Sequence, residues 1–271
     1  MKTEYQNHGK TTRFKFAPGY RAMQIIFAFL LALHLGACAG PEGVAKGRDT
    51  SVHFAADPWE PVNRRIDAVN RGLDNVTLKP VARGYRKYLP AFVRRGATNF
   101  FSNLRTPLTI INEILQGKGR AAFSDTGRLL LNSTVGIGGL FDPATSAGLE
   151  KHKEDFGQTL ATWGVPSGPF VMIPLLGPRT LRDALAIPLN IFADPLLHYE
   201  NASARDKLWA LQVLDARARF LSVENMIDDS YDPYVTVRDA YLQNREYLIY
   251  DGDPPEYEDE YLDEFLEEEV N

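Results

Sequence analysis

Phe92-Val93-Arg94-Arg95-Gly96-Ala97-Thr98-Asn99-Phe100-Phe101-Ser102-Asn103-Leu104 reads as one amphipathic helix. Phe92, Gly96, Phe100 and Leu104 recur at the helical period of about 3.6 residues, and Arg94 and Arg95 stand off that stripe. Ile66, Val69 and Leu73 step in the same way upstream. Downstream, Thr106-Pro107 predicts an N-cap and first helical residue for a segment carrying Leu108, Ile111 and Leu115, with Gly117 as its stop. Thr180 with Asp183 predicts a capping box before Leu181, Ala184 and Leu185, in a helix that Pro188 should interrupt. Ser203 with Asp206 predicts another, opening a long helix with Leu208, Leu211, Leu214, Ala218 and Leu221 on one stripe. Asp232-Pro233 should cap a last helix bearing Tyr234, Val237 and Tyr241. Helical punctuation runs from about residue 57 to 250, with little strict alternation, so the fold class is mainly α. Glycine-proline stretches at 136–143 and 163–169 break it up, and Phe170 to Pro178 fits a short strand, a hairpin or an apolar loop.

Charge is segregated along the 271 residues, whose formal net charge is −5. Residues 1–37 carry +4, residues 38–250 carry +2, and residues 251–271 carry −11 with no basic residue. The body is near neutral, which argues against a nucleic-acid-binding domain. Within it, residues 62–120 hold 12 Lys or Arg against three acidic residues, Asp67, Asp74 and Glu113. Those cations, Arg64, Arg65, Arg94, Arg95 and Arg105 among them, are interleaved with Phe92, Phe100, Phe101 and Ile110. A helix lying in a membrane interface needs this pattern, with cations at phosphate level and apolar groups below. A soluble helix with a solvated basic face has the same composition.

The amino terminus reads as an address. Lys2, Lys10, Arg13, Lys15 and Arg21 precede the apolar run Met23–Ala37, which at 15 residues is too short to span a bilayer and fits a secretory leader. Starting at Met23 would remove every one of those cations. The run ends Leu35-Gly36-Ala37-Cys38, like a bacterial lipobox, so cleavage should leave Cys38 as the first residue, free for acylation. Ala39 rather than Asp after it favours the outer membrane. Cys38 is the lone cysteine, so an intrachain disulfide framework and a cysteine-based zinc site are excluded. The expected organisation is a leader at 1–37, a flexible Gly-rich tether at 38–56, one helical domain at 57–250 and an acidic tail at 251–271. Tyr257, Tyr261 and Phe265 are spaced four apart in that tail, so a helix there would present an apolar stripe on an anionic body, suited to a basic soluble partner. A solvated, disordered end is the alternative.

Catalytic signatures are missing. No HExxH, CxxC, GxSxG or GxxxxGK[ST] occurs, and the third glycine of a dinucleotide fingerprint after Gly136 and Gly138 is replaced by Phe141. His152-Lys153-Glu154-Asp155 is the one polar cluster of catalytic type, and a hydrogen-bonding role suits it better than that of a base. No metal site and no cofactor is expected.

Longer motifs carry a resemblance. Asp57-Pro58-Trp59-Glu60-Pro61-Val62-Asn63-Arg64 is followed by Leu78-Lys79-Pro80-Val81-Ala82. Next come Asn99-Phe100-Phe101-Ser102-Asn103-Leu104, Leu115-Gln116-Gly117 and Asn132-Ser133-Thr134-Val135-Gly136. His152, Glu154-Asp155-Phe156-Gly157-Gln158-Thr159-Leu160, Trp163-Gly164-Val165, Leu175-Leu176-Gly177-Pro178 and Asp232-Pro233-Tyr234 complete the order. Over about residues 57–248 the chain resembles the VacJ/MlaA family of outer-membrane phospholipid-transport lipoproteins. The resemblance implies a ring of amphipathic helices lying in the outer membrane around a channel. It implies removal of phospholipids that have strayed into the outer leaflet, delivery to a periplasmic carrier, association with trimeric porins, and no catalysis. It also implies a lipid-anchored protein exposed to the periplasm. One departure is Pro166, where relatives often have glycine. Gly164, Pro166 and Gly168 are the candidate hinge or channel loop, stiffened by that proline, and a structural turn requiring positive φ is the plainer reading of the two glycines. A porin scaffold without transport is the alternative function, and a phospholipase would need a site the sequence does not offer.

Overall fold

A computed structural model describes residues 57–255 of the chain. Cys38, the tether before residue 57, and Tyr257, Tyr261 and Phe265 lie outside the described residues. In chain order the elements are α1 (Glu60–Val76), α2 (Leu78–Tyr88), α3 (Ala91–Leu115), α4 (Gly119–Thr134), α5 (Pro143–Ser146) and α6 (Phe156–Thr162). An antiparallel hairpin follows, β1 (Phe170–Ile173) and β2 (Gly177–Thr180), with Phe170 opposite Thr180 and Ile173 opposite Gly177. Then come α7 (Leu181–Phe192), a 3-10 turn (Pro195–His198), α8 (Ala202–Phe220), α9 (Glu224–Asp228) and α10 (Pro233–Ile249). The apolar run that periodicity left open is therefore a hairpin.

Three helix boundaries differ from expectation. Thr106-Pro107 opens no helix, because α3 runs through Pro107. The Thr106 hydroxyl turns back to the Ser102 carbonyl at 3.1 Å instead of capping. Pro107 deletes one ladder hydrogen bond, a cost of about 3 kcal/mol that packing against α4, α6 and α8 must offset. Pro188 likewise sits inside α7 without ending it. The N-cap of α8 is Asn201, whose side chain accepts from the Ala204 N–H at 3.0 Å, so Ser203 lies in the first turn. Elsewhere the local signals hold. Thr180 accepts from the Asp183 N–H, Asp232 caps α10 with Pro233 at its first turn, and α3 ends before Gly117 at φ +76°.

The helices close a circuit of neighbours. α1 packs on α2, α2 on α8, α8 on α3, α3 on α6, α6 on α7, α7 on the hairpin, and the hairpin back on α1. α4 packs on α3 and α5, and α10 on β2, α6 and α9. The hairpin is tied to α1 by two asparagines acting as strand partners. Asn63 donates to the Phe170 carbonyl at 3.2 Å and accepts from the Met172 N–H at 2.9 Å. Asn70 repeats this with the Ile173 carbonyl at 3.0 Å and the Leu175 N–H at 2.8 Å. The spacing matches, since seven helical residues rise about 10.5 Å and three strand residues advance about 10 Å.

The two Asp-Pro motifs lock the ends of the domain together. Tyr234 donates its hydroxyl to Asp57, and Arg64 reaches Asp232 through both terminal nitrogens, at 3.1 and 2.7 Å. Among the described residues, buried hydrophobic side chains gather in two small clusters. Phe170, Met172, Tyr234 and Leu242 form one, backed by Ile66, Val235 and Tyr241. Ala82, Tyr85 and Ala218 form another, backed by Leu89, Leu211, Leu214 and Leu221.

Candidate functional site

Polarity is distributed inside out. Among the described residues, 18 polar or charged residues are buried against 13 hydrophobic ones, while Trp, Phe, Leu, Ile and Val side chains stand exposed on most helices. In a water-soluble domain the ordering is the reverse. α1 shows how the sequence does this. Val62, Val69, Leu73 and Val76 form an exposed stripe, with Val76 at 73% exposure. The opposite face, Asn63, Asp67, Asn70 and Asp74, turns inward: Asn63 and Asp67 are buried, and Asp74 accepts from Arg217 at 2.8 and 2.6 Å. α4 buries Asp125, Arg128 and Asn132 and exposes Leu130 and Phe123, the latter at 84%. α7 buries Arg182 and Asp183 and exposes Leu185 at 66%, with Ile191 and Phe192. Each of these three helices is amphipathic, and the apolar residues named on it are the ones without protein against them.

Buried charges are held in networks. Arg245 grips both oxygens of Asp155, at 2.8 and 2.7 Å, and reaches Asp183 at 2.9 Å, while Tyr241 donates to Asp183 at 2.6 Å. Burial opposes ionisation of Asp155, but the Arg245 guanidinium wins and holds its carboxyl below the usual range. Asp142 caps α5 and accepts from Arg128 and Asn132 at 3.0 Å. Lys118 reaches Glu154 at 2.9 Å, and Gln116 donates to the same carboxylate at 2.8 Å. Asp215 on α8 accepts from Tyr85 and Thr98, which joins α2 and α3 to it. Hydrogen bonding of this kind is the condition for keeping charge out of water.

The loop predicted as a hinge is built at both ends. Gly164 closes α6 as a Schellman turn: its N–H donates to the Ala161 carbonyl at 2.8 Å and the Val165 N–H to Leu160 at 2.9 Å, with Gly164 at φ +87°. Arg182 holds the middle, donating from its side chain to the Val165 carbonyl and from its backbone to Ser167. Pro166 is exposed between these anchors, and Gly168 has φ +65°. Trp163 donates its indole N–H to Leu115 at the end of α3.

The predicted interfacial cations fall into different settings. Arg65 and Arg95 are exposed. Arg64 is taken up by Asp232 and Glu60, and Arg105 lies 3.9 Å from Asp194. Arg94 is half-buried. Sequence reasoning missed a second basic group. Arg83, Arg86 and Lys87 on α2 line an open surface depression of about 320 Å³ with Leu221, Glu224 and Asn225. Their spacing along one helix was the available signal. The exposed Val81 and Tyr88 lie on the same helix. His152, read as a hydrogen-bonding residue, has its Nδ1 2.9 Å from Asp125.

Comparison with known proteins bears on what this arrangement does. The family model described as "MlaA lipoprotein" matches residues 55–248. The intermembrane phospholipid transport system lipoprotein MlaA of Escherichia coli K12 is 33% identical over 202 residues, 73% of this chain and 80% of that protein. Its Haemophilus influenzae namesake is 29% identical over 251 residues, covering 90% and 97%. An uncharacterised protein of Rickettsia prowazekii is 35% identical over 194 residues, covering 70% and 76%. A structure solved in a study of the maintenance of bacterial outer membrane lipid asymmetry superposes with a TM-score of 0.63 at 34% identity. It covers 72% of this chain and 99% of its own.

Proposed function

The chain belongs to the MlaA lipoprotein family, and from that premise we propose that it clears phospholipids from the outer leaflet of the outer membrane and sends them inward, preserving lipid asymmetry. The carrying observation is the inverted polarity of the domain. An apolar exterior can sit in lipid without a spanning helix, and among the described residues no helix is long and apolar enough to cross a membrane. A polar interior supplies what a headgroup needs. Moving a charged headgroup through hydrocarbon carries a large desolvation cost, which a passage lined with hydrogen-bonding groups removes. Transport of this kind breaks no bond, in keeping with the transport role that gives these relatives their name.

The finer parts of the reading follow the same physics. Acylated Cys38 anchors the protein to the outer membrane, and the exposed stripes of α1, α4 and α7 add a second attachment, as stable anchoring requires. Exposed Arg65 and Arg95 sit at phosphate level. The open depression of Arg83, Arg86 and Lys87 beside exposed apolar side chains suits an anionic headgroup with its tails on the surface. The loop Gly164-Val165-Pro166-Ser167-Gly168 gates the passage. A trimeric porin is a partner in the membrane. A periplasmic carrier receives the lipid, and the acidic tail with Tyr257, Tyr261 and Phe265 is its docking segment. The experiment is to label surface phospholipid with a membrane-impermeant amine reagent in cells lacking the protein and in cells where it is restored. Labelling should rise on loss and return to baseline on restoration. Equal labelling in both, with the protein present in the membrane, would leave a porin scaffold as the better reading.

A further inference from the structure

Glu113, in the last turn of α3, is fully buried, and neither carboxylate oxygen has a hydrogen-bond partner. Beside it stand Asp125 of α4, also buried, and His152 from the segment between α5 and α6. The His152 Nδ1 lies 2.9 Å from Asp125 Oδ2 and 3.5 Å from Glu113 Oε1, and one ligand atom from each of the three falls within 4.8 Å of the others. Two facing carboxylates offer only acceptors while both are ionised, so the pair must take up either a proton or a cation. Burial first, then the neighbouring Asp125, pushes the Glu113 carboxyl up to about 8.

A proton between the carboxylates is one occupant. The third group points elsewhere. With a proton shared by Glu113 and Asp125, His152 only donates to Asp125 and leaves Glu113 Oε1 at 3.5 Å unserved, whereas a metal ion would engage all three groups at once. Bonds of about 2.0 Å in a tetrahedral site set ligand atoms roughly 3.3 Å apart, close to the two separations observed. One nitrogen and two carboxylate oxygens suit zinc. Calcium seeks six to eight oxygens and magnesium an octahedron, which three side chains do not supply. The facing charges are compatible: Arg128 Nε lies 3.7 Å from Asp125 and is shared with Asp142, Glu150 lies 3.9 Å from His152 Nε2, and Lys118 is engaged by Glu154. The His152 side chain is 28% exposed and offers the route of entry.

We propose that Glu113, Asp125 and His152 form a binding site for one zinc ion, with water as its fourth ligand. The ion joins α3, α4 and the segment leading into α6. The site is separate from lipid handling and does not depend on that reading.

The test uses the full mature protein in detergent, without a polyhistidine tag, stripped with EDTA and returned to chelator-free buffer. Zinc is titrated by competition with a chromogenic chelator and by thermal unfolding. One ion per chain should bind and raise the melting temperature, and millimolar magnesium or calcium should do neither. Glu113→Gln and His152→Gln should each weaken zinc binding at least roughly tenfold. His152→Gln is the safer variant because its side chain is partly exposed, and circular dichroism checks that both fold. If the wild type binds no zinc, or binds it no better than the folded variants, the site holds a shared proton and the proposal fails.

Discussion

Gly157→Ala is the substitution for which helix propensity and the structure disagree in sign. Gly157 lies in the first turn of α6, where alanine in place of glycine would ordinarily stabilise by up to about 1 kcal/mol. In this fold a Cβ at 157 would collide with Arg245 Nη2 and Asp183 Oδ1 and crowd Asp155 Oδ1 at 3.1 Å. Those atoms are the centre of the buried Asp155–Arg245–Asp183 network, which ties α6, α7 and α10 together. They cannot retreat cheaply, since Arg245 and Asp183 are themselves buried. Breaking a buried ion pair typically costs about 3–5 kcal/mol. Set against a domain stability of about 5–15 kcal/mol, that is a large share. For a domain of this size the melting temperature should fall by roughly 6–20 °C. Thermal unfolding of the purified mature protein in detergent measures it, with Arg245→Met as the reference for losing the network. If Gly157→Ala melts at or above the wild-type temperature, the packing of glycine against the guanidinium is wrong.

Phe123→Asp tests the outward apolar face. Roughly 150 Å² of exposed ring at about 25 cal/mol/Å² gives about 4 kcal/mol of lost lipid contact, so protein expressed from residue 39 onward should bind vesicles about a thousandfold more weakly in flotation. A water-facing phenylalanine would change binding little. Gly164→Val with Gly168→Val forces two residues at φ +87° and +65° into strain. The double variant should stay in the membrane but restore lipid clearance poorly in the surface-labelling assay, whereas a drop in protein abundance would mark a purely structural turn. Asp232 is held down to about 2 by hydrogen bonding from Arg64. Its folded value lies below its unfolded one, so its stabilisation is complete above about pH 4 and lost as pH falls through 2. Arg64→Met should flatten that part of the acid-unfolding curve, and an unchanged curve would mean the pair is inert.

The helices were legible because periodicity and caps are local. Asp232-Pro233, Thr180 and Gly117 act as their chemistry dictates. Pro107 and Pro188 misled because a proline inside a helix is decided by tertiary packing, which no local window contains. The larger difficulty was orientation. The stripe Val62, Val69, Leu73 and Val76 is equally consistent with a core face and a lipid face. Only the structure shows that Asn63 and Asn70 on the other side pair with the hairpin backbone, which fixes the polar face inward. Interior charge networks were illegible for a simpler reason. Glu113, Asp125 and His152, or Asp155, Asp183 and Arg245, are far apart in sequence and belong to different elements. The motif at 152–160 marked His152 and Asp155 without revealing their partners.

The central claim is that the apolar faces of α1, α4 and α7 meet lipid and their polar faces meet protein. Spin labels placed singly at Val69, Phe123 and Leu185 in the mature protein, reconstituted in phospholipid vesicles, test it through collision with dissolved oxygen and with a water-soluble nickel chelate. All three should be accessible to oxygen and shielded from nickel. High nickel accessibility at these positions, equal to that of a label on exposed Glu150, would put the apolar faces in water and contradict the account.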